Sequence, residues 1–303
     1  MDVEIIGAES LGVRGLCCHV KTEQRTILID PGLALGYMRH KLLPHPKQVA
    51  MAEKVRKKII SIWEKSTDII FSHFHGDHVP LADANPYQLH IKELDGLNNK
   101  ARIWRKKREH LSSTEAAREK SLRTSLSLHF LPGENIRHGP LHFSDAVPHG
   151  DPDTTNDLVM MTLVVEDQKF LHAPDIQLLH NQTVSKILKW QPDILLAGGP
   201  PLYLSRLSEE QIHRAWQNAL RLARGVNLFI LDHHLLRSNE GVVWLDKLST
   251  AAGKRVLCAA DFMGKDRTFM EAEREGLYQR YPVPKGWHED YARGEATTRH
   301  WLS

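Results

Sequence analysis

The chain is poor in cysteine and has no arrangement to pair what it has. Only Cys17, Cys18 and Cys258 occur in 303 residues, and none of them forms a Cys-x-x-Cys. Adjacent cysteines rarely bridge each other and three give no even framework, which argues against a disulfide-stapled secreted fold and for a reducing compartment. No apolar run approaches the roughly 20 residues a membrane span requires, and Met1-Asp2-Val3-Glu4-Ile5-Ile6 reads into a strand rather than a basic, then apolar leader. A cytoplasmic protein without a membrane partner is therefore expected. The formal net charge is +3, too small by itself to point to nucleic acid or a membrane surface. There is no G-x-x-x-x-G-K-[ST] phosphate loop, no dinucleotide G-x-G-x-x-G and no Ser-His-Asp elbow.

What is present in excess is histidine, nineteen residues, several of them grouped where apolar runs end. Short β-rich runs open the chain at Val3–Ile6, Leu16–Val20 and Thr26–Ile29, the last closed by Asp30-Pro31-Gly32. Helical spacing follows over Pro46–Ser66, where Val49, Ala52, Val55, Ile59, Ile60 and Trp63 recur every three to four residues. Asp68–Phe71 reads as a buried strand. The stretch 87–123 is polar and basic, with Arg102, Arg105, Lys106, Lys107 and Arg108, and reads as an inserted helical segment. That run is either a solvated helix face or a rim that attracts an anionic substrate. Strands are expected at Leu126–Leu131, Leu141–Phe143, Leu158–Val165 and Lys169–His172. Helices (Ile176–Leu188, Ser208–Arg224, about Glu240–Ala252) then alternate with strands (Asp193–Ala197, Val226–Leu231), leading to a further run at Arg255–Ala259. A tail over 265–303 is expected to carry one outer helix. With no internal repeat or Gly/Ser linker, the pattern suits a single α/β domain over 1–303, with 87–123 as insertion and 265–303 as C-terminal extension.

The chemistry concentrates in Phe71-Ser72-His73-Phe74-His75-Gly76-Asp77-His78. Side chains two apart in an extended segment share a face, so His73 and His75 can converge on one ion. Gly76 permits a sharp turn that swings Asp77 and His78 toward a neighbouring ion. Such a site needs ligands from further along the chain, and candidates stand at comparable places: His149 in Pro148-His149-Gly150, Asp175 after Lys169–His172, and His233 or His234 after Val226–Leu231. Imidazole with carboxylate suits zinc, with manganese and iron as competitors. Two of these positions have ordinary explanations: Asp175 as the N-cap of a helix starting at Ile176, and His149 as a turn histidine.

This pattern resembles the metallo-β-lactamase superfamily, whose H-x-H-x-D-H signature is followed by His, Asp and His at the ends of later strands. The likeness covers roughly 1–259. It implies an αβ/βα four-layer sandwich, with two mixed β-sheets packed face to face and helices outside. It further implies His73, His75 and His149 on a first metal and Asp77, His78 and one of His233 or His234 on a second, with Asp175 bridging. His233 is favoured by register, since Phe229-Ile230-Leu231-Asp232-His233 parallels Ile69-Ile70-Phe71-Ser72-His73; His234 would then face substrate. Thr26–Gly32 is similar to the superfamily's opening strand and turn, whose aspartate supports the metal site; Asp30 either orders the Pro-Gly turn or touches a ligating histidine, and both can hold together. Gly198-Gly199-Pro200-Pro201 and Asp232-His233-His234-Leu235-Leu236-Arg237 look like a little-characterised subfamily best known from archaea. The glycine pair reads as a tight turn at the rim, with Tyr203 near substrate.

The implied activity is hydrolysis by a hydroxide bridging two divalent metals, with Asp77 or Asp175 orienting it and His234 protonating the leaving group. His75 stands where the superfamily's oxygen-reducing branch has Glu, which favours hydrolysis over redox chemistry. A small-molecule or nucleotidyl phosphoester, a phosphodiester first, is the expected substrate. A lactone or thioester is the alternative. A reading of a different class is a nucleic-acid-binding protein with structural metals and no turnover, although structural zinc sites are usually closed by cysteine. His138, His142, His172 and His180 have no converging partner and read as ordinary histidines, and Cys17 and Cys18 as packing residues on opposite sheet faces. Oligomeric state leaves no trace in the sequence.

Overall fold

A computed structural model describes residues 1–97, 100–153 and 156–301. Twelve strands form two six-stranded sheets among these residues. The first contains, in order, β1 (Asp2–Gly7), β2 (Cys17–Lys21), β3 (Thr26–Ile29), β4 (Asp68–Phe71), β5 (Arg102–Arg105) and β6 (Phe130–Pro132). β1 to β3 are antiparallel, and β3 to β6 are parallel. The second runs, from one edge to the other, through β7 (Arg137–His138), β8 (Leu141–Pro148), β9 (Leu158–Val165), β10 (Lys169–Ala173), β11 (Ile194–Ala197) and β12 (Leu228–Leu231). Here β10 to β12 are parallel and the rest antiparallel.

The two-residue period of the early strands decides the layering. Ile5, Cys18, Val20, Ile27, Ile29 and Ile70 point into the core shared with the second sheet. Their neighbours Ile6, Cys17, Leu28, Ile69 and Phe71 point the other way, onto Val49, Ala52, Val55, Ile59 and Trp63 of helix α1 (Pro46–Trp63). Cys17 and Cys18 are thus fully buried packing residues on opposite faces. Pro46 starts α1 where a missing N–H costs nothing, and the His45 ring accepts from Lys47 N–H as its cap. Helix α2 (Ser113–Ser125) follows β5. Beyond the second sheet lie α3 (Asn181–Trp190), α4 (Glu209–Gly225) and α5 (Asn239–Ala252), whose Val184, Ile187, Ala219, Leu222, Leu245 and Leu248 complete the shared core. Short helices α6 (Ala259–Phe262), α7 (Arg274–Arg280) and α8 (Trp287–Ala292) close the chain. This is the metallo-β-lactamase four-layer sandwich.

Several local expectations need correction. Arg102–Arg105 is a strand between β4 and β6, not a helix face: Ile103 and Trp104 are buried, and Arg102 lies against Asp68. The region read as strand Leu126–Leu131 begins as the end of α2, and β6 starts only at Phe130. The helix expected from Ile176 starts at Asn181, because Asp175 and Leu178 both adopt positive φ and the intervening chain turns. Arg255–Ala259 contributes only an isolated bridge, Ile230 with Leu257, before α6. The tail carries two short helices rather than one.

Candidate metal centre

Every strand that feeds the site ends on the same side of the molecule. β4 delivers Ser72 to His78, β8 leads into His149, β10 into Asp175 and β12 into His233 and His234. Asp30, Asp175 and His233 all take left-handed backbone angles (φ 47°, 54° and 54°) directly after their strands. Non-glycine residues adopt this region at a cost, and such strain gathers at functional sites. Gly32 is required by proximity: a Cβ there would stand 2.1 Å from the His78 carbonyl carbon and the Val79 nitrogen.

The structure brings all eight expected site residues together around Asp175, which is buried. Its Oδ2 lies 3.2 Å from His73 Nε2, 3.7 Å from His75 Nδ1, 3.0 Å from His149 Nε2 and 3.3 Å from His234 Nε2. Its Oδ1 lies 2.9 Å from His78 Nε2 and 3.1 Å from His233 Nε2. Asp77 joins the second group, with Oδ2 3.5 Å from His233 Nε2. The two carboxylate oxygens thus face two sets of donors: His73, His75 and His149 on one side, Asp77, His78 and His233 on the other. His234 is adjacent to the first set rather than pointing away, with its ring 5.2 Å from that of His149. Asp175 caps no helix, since α3 begins six residues later.

These donors fit a divalent cation by what they lack. His73 Nε2, Asp175 Oδ1 and both ring nitrogens of His234 are buried without a hydrogen-bond partner. Buried polar atoms are nearly always paired, so inward-facing ligand atoms without partners fit a cation site. Burial pushes the His73 and His234 imidazoles well below their usual pKa, and burial with the Arg237 charge brings His233 down to about 4. All three are thereby neutral, the form that ligates. Burial would raise the Asp175 carboxyl, but its imidazole neighbours, His78 foremost, outweigh it and hold it well below the carboxylate range. Burial would lower His78, but Asp175 and Asp30 outweigh it and hold that imidazole well above its usual pKa while the site holds no cation.

A supporting layer orients the donors. Asp30 accepts from Ser72 N–H (2.8 Å) and Ser72 Oγ (2.6 Å) and meets His78 Nδ1 at 3.0 Å, while Ser72 Oγ reaches His73 Nδ1 at 2.8 Å. Of the two readings of Asp30, the contact with a ligating histidine is present: one carboxylate reaches His78 directly and His73 through Ser72. Sequence reasoning did not single out Gln177, whose side-chain nitrogen lies 3.0 Å from His149 Nδ1. It also overlooked the buried Lys106–Glu115 pair and Arg118. Glu115 accepts from Phe74 N–H and Arg118 donates to the Phe74 carbonyl, so together they clamp the loop between the two motif histidines. Three cations of the basic segment are thus engaged within the fold: Arg102 is bound by Asp68, Arg105 lies 3.7 Å from Glu119, and Lys106 is fully buried. Arg237 has no individual role legible in the sequence, yet its Nη2 lies 3.0 Å from Asp77 Oδ2. His138, His142, His172 and His180 stand apart from the cluster; His172, for instance, bonds the Leu16 carbonyl.

A cavity of about 320 Å³ opens beside His149, lined also by Asp157, Gln177, Arg206 and Gln211. Gly198 packs against Asp175, where an added Cβ would be 3.1 Å from its Cα, and Tyr203 Oη accepts from Arg237. No helix of the described residues is long and apolar enough to cross a membrane.

The layered fold and the strand-end cluster define a protein of the metallo-β-lactamase fold. A solved structure bears out the fold: that of an isothiocyanate hydrolase from Delia radicum gut bacteria aligns with TM-score 0.51 at 12% identity, over 85% of this chain and 95% of that one. No family model matches the sequence. Curated relatives do: a UPF0282 protein of Methanosarcina mazei is 47% identical over 100% of both chains. A UPF0282 protein of Thermococcus gammatolerans is 31% identical over 92% of this chain and 96% of its own. The chain belongs to the UPF0282 family.

Proposed function

We propose that this protein is a metal-dependent hydrolase with two cation positions sharing Asp175, acting on a phosphodiester or other phosphoester. The observation that carries the reading is the buried Asp175 carboxylate ringed by six imidazoles, several of whose inward atoms lack any hydrogen-bond partner. His73, His75 and His149 would hold one cation and Asp77, His78 and His233 the other. Zinc suits this donor set, with manganese and iron as competitors. Divalent cations there would lower the pKa of a bound water from about 15.7 toward about 7 and offset negative charge growing on the attacked group.

The chain's own residues supply the rest. Asp77 and Asp175 orient the attacking water through their carboxylate oxygens. His234, buried and neutral with both ring nitrogens unpartnered, takes up a proton and passes it to the leaving group. Arg206 supports an anionic substrate: it is exposed, lines the cavity beside His149, and has no ion-pair partner among the described residues. Asp151, an acid of the same cavity, is engaged by Gln211 and Arg214.

The test is turnover by metal-loaded protein on a panel of chromogenic phosphodiesters, phosphomonoesters, lactones and thioesters, beside the Asp77→Ala variant. Phosphoester cleavage lost in the variant is the expected result. Cleavage of lactones or thioesters alone moves the substrate to carboxylic esters. Salt-sensitive RNA or DNA binding with no turnover on any substrate overturns the enzyme reading.

A further inference from the structure

The two halves of the cluster differ in one respect that the donor lists conceal. On the Oδ2 side of Asp175, His73 Nε2 and both His234 nitrogens lack partners, as Oδ1 itself does on the other. On the other side a guanidinium is already in place. Arg237 Nη2 lies 3.0 Å from Asp77 Oδ2 and 3.0 Å from His233 Nε2, two of the atoms that would ligate the second cation. We propose that Arg237 makes the two cation positions unequal, keeping the Asp77–His78–His233 position weak while the His73–His75–His149 position binds tightly. The inference rests on the metal-dependent reading above.

Arg237 is in no position to withdraw. Its Nε donates to Glu9 Oε1 at 2.9 Å and its Nη1 to Tyr203 Oη at 3.1 Å, and the residue is buried. Its charge is not cancelled locally either. Arg14 and Arg39 converge on Glu271, and Arg274 lies 4.0 Å from the same carboxylate, while Arg14 also lies 3.8 Å from Glu9. Around this corner four guanidinium groups face three carboxylates: Glu9, Glu271 and Asp77. Like charges repel far more strongly in a buried site than in water, because little solvent screens them. A cation entering beside Asp77 therefore works against the fixed positive charge. Glu271 and Arg274 come from the C-terminal extension, which thus takes part in setting the second position.

Titration calorimetry of metal-free protein with Zn²⁺ tests this. The native chain should give two steps, the second at least about tenfold weaker than the first. Asp77→Ala should abolish the weak step alone, and His75→Ala should impair the tight one. Arg237→Gln should strengthen the second step by about tenfold or more and leave the first unmoved, which loss of a merely structural residue does not do. The Glu9→Gln/Arg237→Gln pair, which leaves no unpaired carboxylate at position 9, should behave the same way if the single variant folds poorly. Two steps of equal affinity in the native chain, or a second step weakened by Arg237→Gln, overturns the proposal while leaving the hydrolase reading intact. Absence of any metal binding removes both.

Discussion

Replacing Asp30 by Asn tests how the site is organised without touching a proposed ligand. Asp30 Oδ1 accepts from Ser72 N–H, and that bond survives in Asn. Oδ2 faces Ser72 Oγ at 2.6 Å and His78 Nδ1 at 3.0 Å. With a cation bound, this oxygen would hold the His78 proton on Nδ1 and leave Nε2, 2.9 Å from Asp175 Oδ1, free to ligate. In Asp30→Asn an NH₂ group takes that place and can only donate. His78 must then accept at Nδ1, which moves its proton to Nε2, the atom needed for ligation. Ser72 loses its acceptor as well, and with it the orientation of His73 through the 2.8 Å contact. Loss of such outer partners typically costs 10–100-fold in metal affinity, or about 1.4–2.8 kcal/mol. Competition against a chromophoric chelator measures this directly. Asp68→Asn is the control: that carboxylate is equally buried but serves Arg102 and Trp104, away from the cluster. Unchanged affinity in Asp30→Asn, or an equal loss in Asp68→Asn, refutes the orienting role.

Other variants separate the remaining contributions. His234→Gln should lower kcat by about 10²–10⁴-fold with metal content unchanged; if metal is lost instead, His234 is a ligand. Lys106→Met strands the buried Glu115 carboxylate that clamps the Phe74 amide and should cost about 3–5 kcal/mol in chemical denaturation, with much of it recovered in Lys106→Met/Glu115→Leu. Burial would raise the Asp68 carboxyl, but hydrogen bonds from Arg102 and Trp104 dominate and lower it. Its folded pKa then lies below its unfolded one, so its stabilisation is complete above about pH 4 and is lost as the pH falls further. Thermal unfolding of Asp68→Asn should accordingly show a flatter acid limb than the native chain, and parallel limbs would contradict the assignment.

The parts of the molecule visible in the sequence are those whose signal is local. His73, His75, Asp77 and His78 share a short stretch straight after a buried strand, and His149, Asp175 and His233 each follow a strand. The two-residue period of β1 to β4 likewise fixed which face each residue serves. Readings failed where composition competed with pairing. Arg102 and Arg105 suggested a solvated helix, but Ile103 and Trp104 between them pack as a strand, and Asp68 neutralises Arg102 from a distant part of the chain. A helix start at Ile176 is too early because Asp175 and Leu178 take positive φ, which Asp adopts only occasionally and Leu rarely, so the sequence carries little signal of the turn. Gln177, Glu115, Arg118 and Arg237 were missed for a related reason. Each acts through a partner determined only by tertiary structure, as Arg237 does with Glu9, 228 residues away.

The most direct test of the central claim is the metal content of the purified protein. After metal loading and exhaustive dialysis, elemental analysis of the native chain should find bound divalent metal. Asp175→Ala should lose most of it, because every candidate ligand nitrogen faces that one carboxylate. A native chain that keeps no zinc, manganese or iron after loading, or an Asp175→Ala variant that keeps as much as the native chain, contradicts the account.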